Sequence, residues 1–272
     1  MTVEESTQTN PAPSYDELYQ QTLDLRRQVA ELTAKQRIVW ALFSDASRKL
    51  QISSASIKAA VSSLLNYDIF WDGANQHEFL TTINSSVDQA AKLASLLTLA
   101  VRAEAGSLEL KREPHDLREI ILAAQDDGKI SFPNLTLDIT LPTEGKPVLV
   151  DYEYLTTALE LLGEVIASRL PSQPVHVQAI ESQTSWSLDF TGLDAALLNL
   201  IRLAFDRQAD ELLTNTTVSL DYLLRLHIVG QILRLQGIGL EVLASPIGDL
   251  TLRWYVPAAT EVTIGSIKPS AG

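Results

Sequence analysis

The fold of this chain is decided by one stretch, Glu78-Phe-Leu-Thr-Thr-Ile-Asn-Ser-Ser-Val-Asp-Gln-Ala-Ala-Lys-Leu-Ala-Ser-Leu-Leu-Thr-Leu-Ala-Val-Arg-Ala-Glu-Ala-Gly106. Apolar residues recur in it at alternating intervals of four and three, a heptad-like stripe that predicts one long helix. The stripe consists of Ile83, Val87, Ala90, Ala94, Leu97 and Val101. Gly106 is a natural stop after such a helix. Leu108 and Leu110 then alternate with charged residues, which predicts a short strand.

The preceding residues predict a partner helix of unusual length. No glycine or proline interrupts residues 14–72, and Ser14 stands three residues before Glu17, in capping-box spacing. An apolar residue recurs every seven positions through Leu18, Leu25, Leu32 and Val39. This pattern predicts a coiled coil at the start of the helix, and the alternative is an amphipathic helix packed within a monomer. A turn is expected at 67–75, and the second helix from about Gln76.

Two long antiparallel helices with apolar seams form a hairpin, and two hairpins form a four-helix bundle around a two-fold axis. We therefore expect a dimer. Seven seam residues are the predicted interface: Phe43, Leu50, Ile57, Ile83, Val87, Ala94 and Leu97.

The second half of the chain alternates strand-like and helix-like patches. The predicted strands are 135–141, 148–150, 175–181, 185–191, 240–244 and 250–256, and the predicted helices are 115–124, 151–169, 194–213 and 220–236. Their order indicates a two-layer α/β sandwich with helices on one face of the sheet. The fold class is thus α+β, with a tail at 1–13, the hairpin at 14–113, the sandwich at 114–258 and a second tail at 259–272.

Composition excludes several classes of function. A net charge of −13 disfavours nucleic-acid binding, because such binding relies on Lys and Arg to neutralise phosphates. The chain has no cysteine, which removes disulfides and thiol catalysis. No apolar run approaches the roughly 18–20 residues needed to cross a bilayer, and residues 1–13 lack a signal-peptide core. We expect a cytoplasmic protein that binds neither nucleic acid nor membrane.

The end of the opening stretch resembles the exit from the dimerisation hairpin of bacterial sensor histidine kinases. The residues that carry the resemblance are Leu96-Leu97, Leu99, Arg102, Glu104-Ala105-Gly106, Leu108, Leu110, Glu113-Pro114 and Asp116-Leu117. The resemblance implies a histidine-kinase ATPase-like domain after the hairpin. It also implies a homodimer or a heterodimer with a histidine kinase, and a response regulator as a partner.

The residue that a kinase of this family phosphorylates is missing. When Leu50 and Ile57-Lys58 are aligned with the family motif, Arg48 stands where the phosphoacceptor histidine belongs. Lys49 then replaces the acidic neighbour that helps to deprotonate the imidazole, and Ser53 replaces a proline. A guanidinium stays protonated and cannot be this nucleophile. The first helix contains no histidine at all, so a shift of alignment does not change the result.

The family's asparagine pair and adenine-binding aspartate are also missing. A gapless count from Asp151 places Leu161 and Val165 at the asparagine positions that serve Mg²⁺ and phosphate, and aliphatic side chains cannot bind a hard cation. For the nearby Glu160 and Glu164 two interpretations remain: they are solvated helix residues, or they replace the missing metal ligands. The position of the adenine-reading aspartate is occupied by Phe190. The neighbouring Asp189 is one residue out of register, so we expect it to face the other side of the sheet.

The phosphate-binding glycines are replaced as well. The family places a glycine-rich loop at a helix N-terminus, where backbone N–H groups hold phosphates. Counting back from Ile228-Val229 puts Leu223 and Arg225 at the glycine positions. Gly237-Ile-Gly239 follows the helix instead of opening it, which favours a turn into a strand.

Together these residues predict a catalytically inactive kinase-like protein, a pseudokinase, that needs no cofactor and acts in two-component signalling as a dimeric interaction module. Two alternatives remain open. The first is a phosphotransferase of a phosphorelay, for which His77, near the turn, is the nearest acceptor. The second is a divergent, active kinase that binds ATP. His115, His176 and His227 are expected to be structural, and the basic residues of the first helix either flank the coiled coil or dock an acidic partner.

Overall fold

A computed structural model describes residues 15–66, 73–126, 137–142, 145–170, 174–206, 219–244 and 250–259. Residues 1–14 and 260–272, which include nearly all of both predicted tails, lie outside the described residues. The predicted turn lies largely outside them as well, since residues 67–72 are not described.

The first two helices form the hairpin. Helix α1 spans Tyr15–Asn66 and helix α2 spans Gly73–Glu104, so α2 begins three residues earlier than predicted. The two pack along each other around Leu42, Ala46, Ala60, Leu93 and Leu96, all buried. At 1.5 Å per residue α1 is about 78 Å long and α2 about 48 Å. The N-terminal part of α1 therefore extends past α2, and its heptad residues Leu18, Leu25 and Leu32 are exposed in the single chain.

Helix α2 stops where the sequence predicts. Gly106 adopts a left-handed backbone with φ of 64°, and the N–H of Ser107 donates to the carbonyl of Arg102 at 2.9 Å. This bond satisfies one carbonyl at the end of the helix, and a residue with a side chain would be strained at the Gly106 position.

The strand predicted at Leu108 and Leu110 is wrong. Strand β1 lies further along, at Glu113–His115. Leu108 is buried in the core instead, and the N–H of Lys111 donates to the side chain of Asp151 at 2.7 Å rather than to a strand. The helix predicted at 115–124 is shifted by two residues, because α3 spans Leu117–Asp126.

The remaining elements form the sandwich. They are β2 (Leu137–Thr140), β3 (Val148–Val150), α4 (Tyr152–Arg169), β4 (Val175–Glu181), β5 (Ser185–Thr191), α5 (Ala195–Asp206), α6 (Leu220–Gln236), β6 (Gly239–Ala244) and β7 (Leu250–Pro257). Strand β3 pairs with β1 in a separate two-stranded sheet. The main sheet has the order β2-β4-β5-β7-β6, and only its β2–β4 pair is parallel.

Alternate residues of the central strands face the core. Leu188 and Phe190 of β5 and Leu252 and Trp254 of β7 are all buried there. Helices α4 and α6 cover this face with fully buried aliphatic residues, among them Leu162, Val165, Ile228 and Ile232. One continuous core joins the sandwich to the α2 end of the hairpin, through Ala100 and Ala103. The α6 helix therefore lies directly against the hairpin.

Candidate functional site at the junction of hairpin and sandwich

Helix α6 is fixed at both ends. Its N-cap Ser219 accepts a hydrogen bond from the N–H of Asp221, and Gly237 closes the C-terminus in a left-handed conformation with φ of 77°. The turn into β6 that the sequence predicts at Gly237 is confirmed. Near its middle, α6 is tied to the end of α2, where Glu104 accepts a hydrogen bond from Gln231 and lies 3.2 Å from Nε2 of the buried His227.

Arg225, on the first turns of α6, is the centre of a charge network. Its guanidinium contacts the Glu164 carboxylate of α4, and its Nε donates to Asp221 at 3.1 Å. The Arg225 side chain is only 13% exposed, so these carboxylates compensate a charge largely removed from water.

The network reaches both helices of the hairpin. Lys92 of α2 donates to Glu164 at 2.7 Å. Lys49 of α1 lies 3.9 Å from Asp221 and 3.2 Å from Asp45. We call Lys49, Lys92, Glu164, Asp221 and Arg225 the junction network. It links four helices by charged contacts at the place where the hairpin meets the sandwich.

A cavity of about 320 Å³ opens beside the junction network. Its hairpin wall has an apolar part, Ile52, Ala90, Leu93 and Leu96, and a polar part, Ser53, Ser56, Ser86 and Gln89. Its α6 wall consists of Asp221 and Arg225, and Lys49 and Lys92 complete the lining. The cavity thus lies between two parts of the chain and is bordered by three cations.

Arg48 lies on the open surface of α1. Its guanidinium donates to Asp45 at 2.8 Å, and its side chain is 69% exposed. Asp45 is the common partner of Arg48 and Lys49. Burial raises the pKa of Asp45, but the hydrogen bonds from these two cations outweigh it and hold that pKa below its ordinary value.

Leu161 and Val165 lie on the inner face of α4 and are buried in the core. Glu164, one of the two carboxylates considered as a metal ligand, is engaged by Lys92 and Arg225. Within the described ranges, no group of His, Cys, Asp and Glu is arranged to hold a metal ion.

Phe190 and Asp189 face opposite sides of the sheet, as the register predicts. The Phe190 ring lies 5.3 Å from the ring of Trp254, inside the core. Asp189 instead accepts two hydrogen bonds from Arg253 of the neighbouring β7, at 2.6 and 2.5 Å. The Asp189 carboxylate raises the pKa of the Arg253 guanidinium, so Arg253 stays charged over the accessible pH range.

The other candidate residues are spread over the molecule. Leu223 is buried in the core. Of the seven predicted interface residues, Val87 and Ala94 are exposed in the single chain, and Phe43, Leu50, Ile57, Ile83 and Leu97 are half-buried. His77 is exposed on α2 and borders an open depression with Ile83 and Val87. His176 is exposed and pairs with Asp138 at 2.9 Å, and the His115 ring lies 5.5 Å from that of Tyr152.

Sequence reasoning missed the junction network as a unit. Asp221 and Arg225 are four residues apart on one helix, a spacing that could have indicated their contact. Lys92 and Glu164 are 72 positions apart, and no local pattern predicts such a pair. Among the described helices, none combines the length and apolarity that a membrane crossing requires.

Comparison with known proteins identifies the fold. No protein-family model matches the sequence, and no curated protein is similar to it by sequence. Solved structures do match. The histidine kinase AdeS of Acinetobacter baumannii superimposes with a TM-score of 0.52 at 13% identity, covering 78% of this chain and 98% of AdeS.

The structures of two further histidine kinases superimpose on this chain with TM-scores close to that of AdeS. Histidine kinase ThkA, solved in complex with the response regulator TrrA, gives a TM-score of 0.53 at 14% identity and covers 87% of this chain and 67% of its own. Full-length ShkA, solved with AMPPNP, gives 0.51 at 13% identity, with 83% of this chain but only 46% of ShkA covered. The α+β arrangement of a helical hairpin followed by an α/β sandwich is therefore the fold of the histidine kinases.

Proposed function

We propose that this chain is a non-phosphorylating, kinase-like interaction protein of two-component signalling. It would act as a dimer of hairpins, or as a heterodimer with a histidine kinase, and present the hairpin surface to a response regulator. ThkA, which shares the fold, was solved with a response regulator, and this motivates the choice of partner.

The environment of Arg225 carries the proposal. In the kinases that the sequence resembles, this part of the helix approaches the nucleotide phosphates through glycine. Here the position bears a long side chain that is paired with Glu164 and Asp221. The same region therefore carries a cation already neutralised by the protein's own carboxylates, which leaves it without an open charge for a phosphate.

Four further positions support the same conclusion. Leu161, Val165 and Phe190, which stand where the family has polar ligands, are all buried in the core. Arg48 at the acceptor position is exposed but cannot be phosphorylated as an imidazole can. The acceptor and the nucleotide ligands would thus be missing independently.

Calorimetry with ATP and Mg²⁺ tests the proposal, with an active histidine kinase as the positive control. We expect no binding tighter than about 1 mM, which corresponds to about −4 kcal/mol. Tighter binding would favour the divergent, active kinase.

A second assay addresses the phosphotransferase alternative. Phosphorylated response regulator is incubated with the protein and with a His77→Ala variant. We expect no acid-labile label on either. Label that appears on the wild type and disappears from the variant would contradict the proposal.

A further inference from the structure

Two polar side chains of α6 are buried where this helix packs against the end of α2. His227 and Gln231 are only 8% and 5% exposed. Both reach the carboxylate of Glu104, the last residue of α2, which accepts a hydrogen bond from Nε2 of Gln231 and lies 3.2 Å from Nε2 of His227. A polar group removed from water is costly unless it is hydrogen-bonded, so both side chains depend on the position of Glu104.

The hydrogen bonds around Gln231 form in one orientation of its amide. A carboxylate only accepts hydrogen bonds and a guanidinium only donates them. Gln231 lies between the Glu104 carboxylate and the Arg234 guanidinium, which donates to its Oε1 at 3.2 Å. Its NH2 group must therefore face Glu104, and its oxygen must face Arg234. Turning the amide over would break both bonds at once.

Arg234 extends these contacts to α5. Its Nη2 donates to the main-chain carbonyl of Phe205 at 2.9 Å, and its guanidinium carbon lies 5.2 Å from the centre of the Phe205 ring. Carbonyls in the last turn of a helix have no partner within the helix and favour a nearby cation. Helix α5 (Ala195–Asp206) has no basic residue in its own last turn. Arg234 thus supplies from α6 the cation that the end of α5 lacks.

We propose that Glu104, Gln231 and Arg234 form a polar relay through which the end of α2 controls the last turn of α5. A movement of α2 away from α6 would take the acceptor from the Gln231 amide. The amide would then turn toward another partner, and the oxygen that holds Arg234 at Phe205 would move with it. Linked hydrogen bonds strengthen one another, so loss of the first weakens the others. The relay contains none of the nucleotide or acceptor positions on which the proposed function depends.

Hydrogen exchange on the full chain, followed by mass spectrometry, tests the relay. Glu104→Met and Glu104→Ala both remove the acceptor, and either of them suffices if the other does not fold. We expect amide exchange at 202–206, the last turn of α5, to become about tenfold faster, the effect of losing one hydrogen bond to a charged group. Glu104→Gln keeps an oxygen that can accept from Gln231, and it should retain most of the protection.

Lys92→Gln is the matched control, because it breaks a different contact between the hairpin and the sandwich, the one to Glu164. It should leave exchange at 202–206 unchanged. Arg234→Met should speed exchange there as much as Glu104→Met, and the double variant should add nothing further, since both act on one chain of contacts. Unchanged exchange at 202–206 in the folded Glu104→Met or Glu104→Ala protein would refute the relay. An equal increase in Lys92→Gln, or in β5 of the Glu104 variants, would refute it as well.

Discussion

Asp45 contributes to stability through its charge. It accepts contacts from Arg48 and Lys49, three and four residues further along α1, and its pKa is lowered by them. A carboxyl group with a lowered pKa in the folded state stabilises the protein above its unfolded pKa of about 4, and this stabilisation is lost as the pH falls through the lower, folded pKa.

Asp45→Asn should therefore destabilise the protein by about 0.5–1 kcal/mol at neutral pH, the sum expected for two such helical pairs. Urea unfolding at a series of pH values measures the free energy of unfolding. The difference between variant and wild type should shrink as the pH falls below about 4. A difference that stays constant over the whole series would contradict this account, and a cycle with Arg48→Gln isolates the contribution of that partner.

The loss of the ion pair between Asp189 and Arg253 should lower the free energy of unfolding by more than the loss of the Asp45 pairs. Asp189 is 7% exposed, so removal of its partner leaves a nearly buried, uncompensated carboxylate. Arg253→Met should cost about 3–5 kcal/mol in thermal or urea unfolding. The double variant Asp189→Leu/Arg253→Met should recover most of this loss, because no buried charge remains. A double variant as unstable as the single one would show that packing, not charge, is responsible.

At the scale of the elements, three glycines make a graded test. Gly106 and Gly192 both have positive φ, 64° and 85°, but an added Cβ meets nothing within 4 Å at Gly106 and lies 2.5 Å from the carbonyl oxygen of Pro174 at Gly192. Gly106→Ala should cost about 1–2 kcal/mol of backbone strain. Gly192→Ala should lower the free energy of unfolding by clearly more, because the steric clash with Pro174 adds to the backbone strain.

Gly239→Ala is the matched control. Its new Cβ makes ordinary contact with Tyr255 at 3.5 Å, and no left-handed backbone is involved. The variant should be as stable as the wild type or slightly more so, since alanine restricts the unfolded chain. We expect the denaturant midpoint to be highest for Gly239→Ala, lower for Gly106→Ala and lowest for Gly192→Ala. The inverted order would refute the argument from backbone geometry.

The elements also show how far sequence reasoning reaches. Strands β4 and β5 and helix α6 have the predicted bounds, because each carries a clear period or a recognisable cap. Strand β1 was missed because Glu113–His115 has no alternating pattern and exists only through its pairing with β3. The alternation at Leu108 and Leu110 predicts a strand that does not form. Leu108 is buried in the core although its backbone pairs with none of the described strands.

The candidate site divides in the same way. Arg48, Phe190 and Arg225 are named as candidate positions by counting along the chain, and their role there stays a prediction. Their partners could not be found in this way, because Glu164 and Lys49 approach Arg225 and Asp221 from other helices. The side-chain cavity follows from that packing and has no signature in any single segment.

For the whole molecule, the exposed seam of the hairpin predicts self-association. Val87 is 46% exposed on α2 although it belongs to the apolar heptad stripe. A charge at an apolar seam opposes burial in a helical bundle. We therefore expect the protein to sediment as a dimer and Val87→Glu to shift it toward the monomer by tenfold or more in dissociation constant, since about 1.4 kcal/mol suffices.

Ile180→Glu provides the control for this experiment. Ile180 is similarly exposed, at 43%, but lies on β4 of the sandwich. It should leave the sedimentation coefficient unchanged. A monomeric wild type, or equal effects of the two substitutions, would rule out the hairpin seam as the interface.

The contacts of Arg225 also oppose the introduction of a glycine at this position. If Arg225 were replaced by glycine, Glu164 and Asp221 would lose the cation they share. Glu164 would keep Lys92 at 2.7 Å, and Asp221, among the described residues, would keep only Lys49 at 3.9 Å. The two carboxylates would then disfavour an incoming phosphate, and we expect the Arg225→Gly variant to be less stable than the wild type. If Glu164 or Asp221 were replaced first, Arg225 would instead lose one of its compensating carboxylates. Either substitution made alone leaves a charge of the junction network without part of its compensation. The effects of substitutions at Arg225, Glu164 and Asp221 on stability should therefore depend on one another.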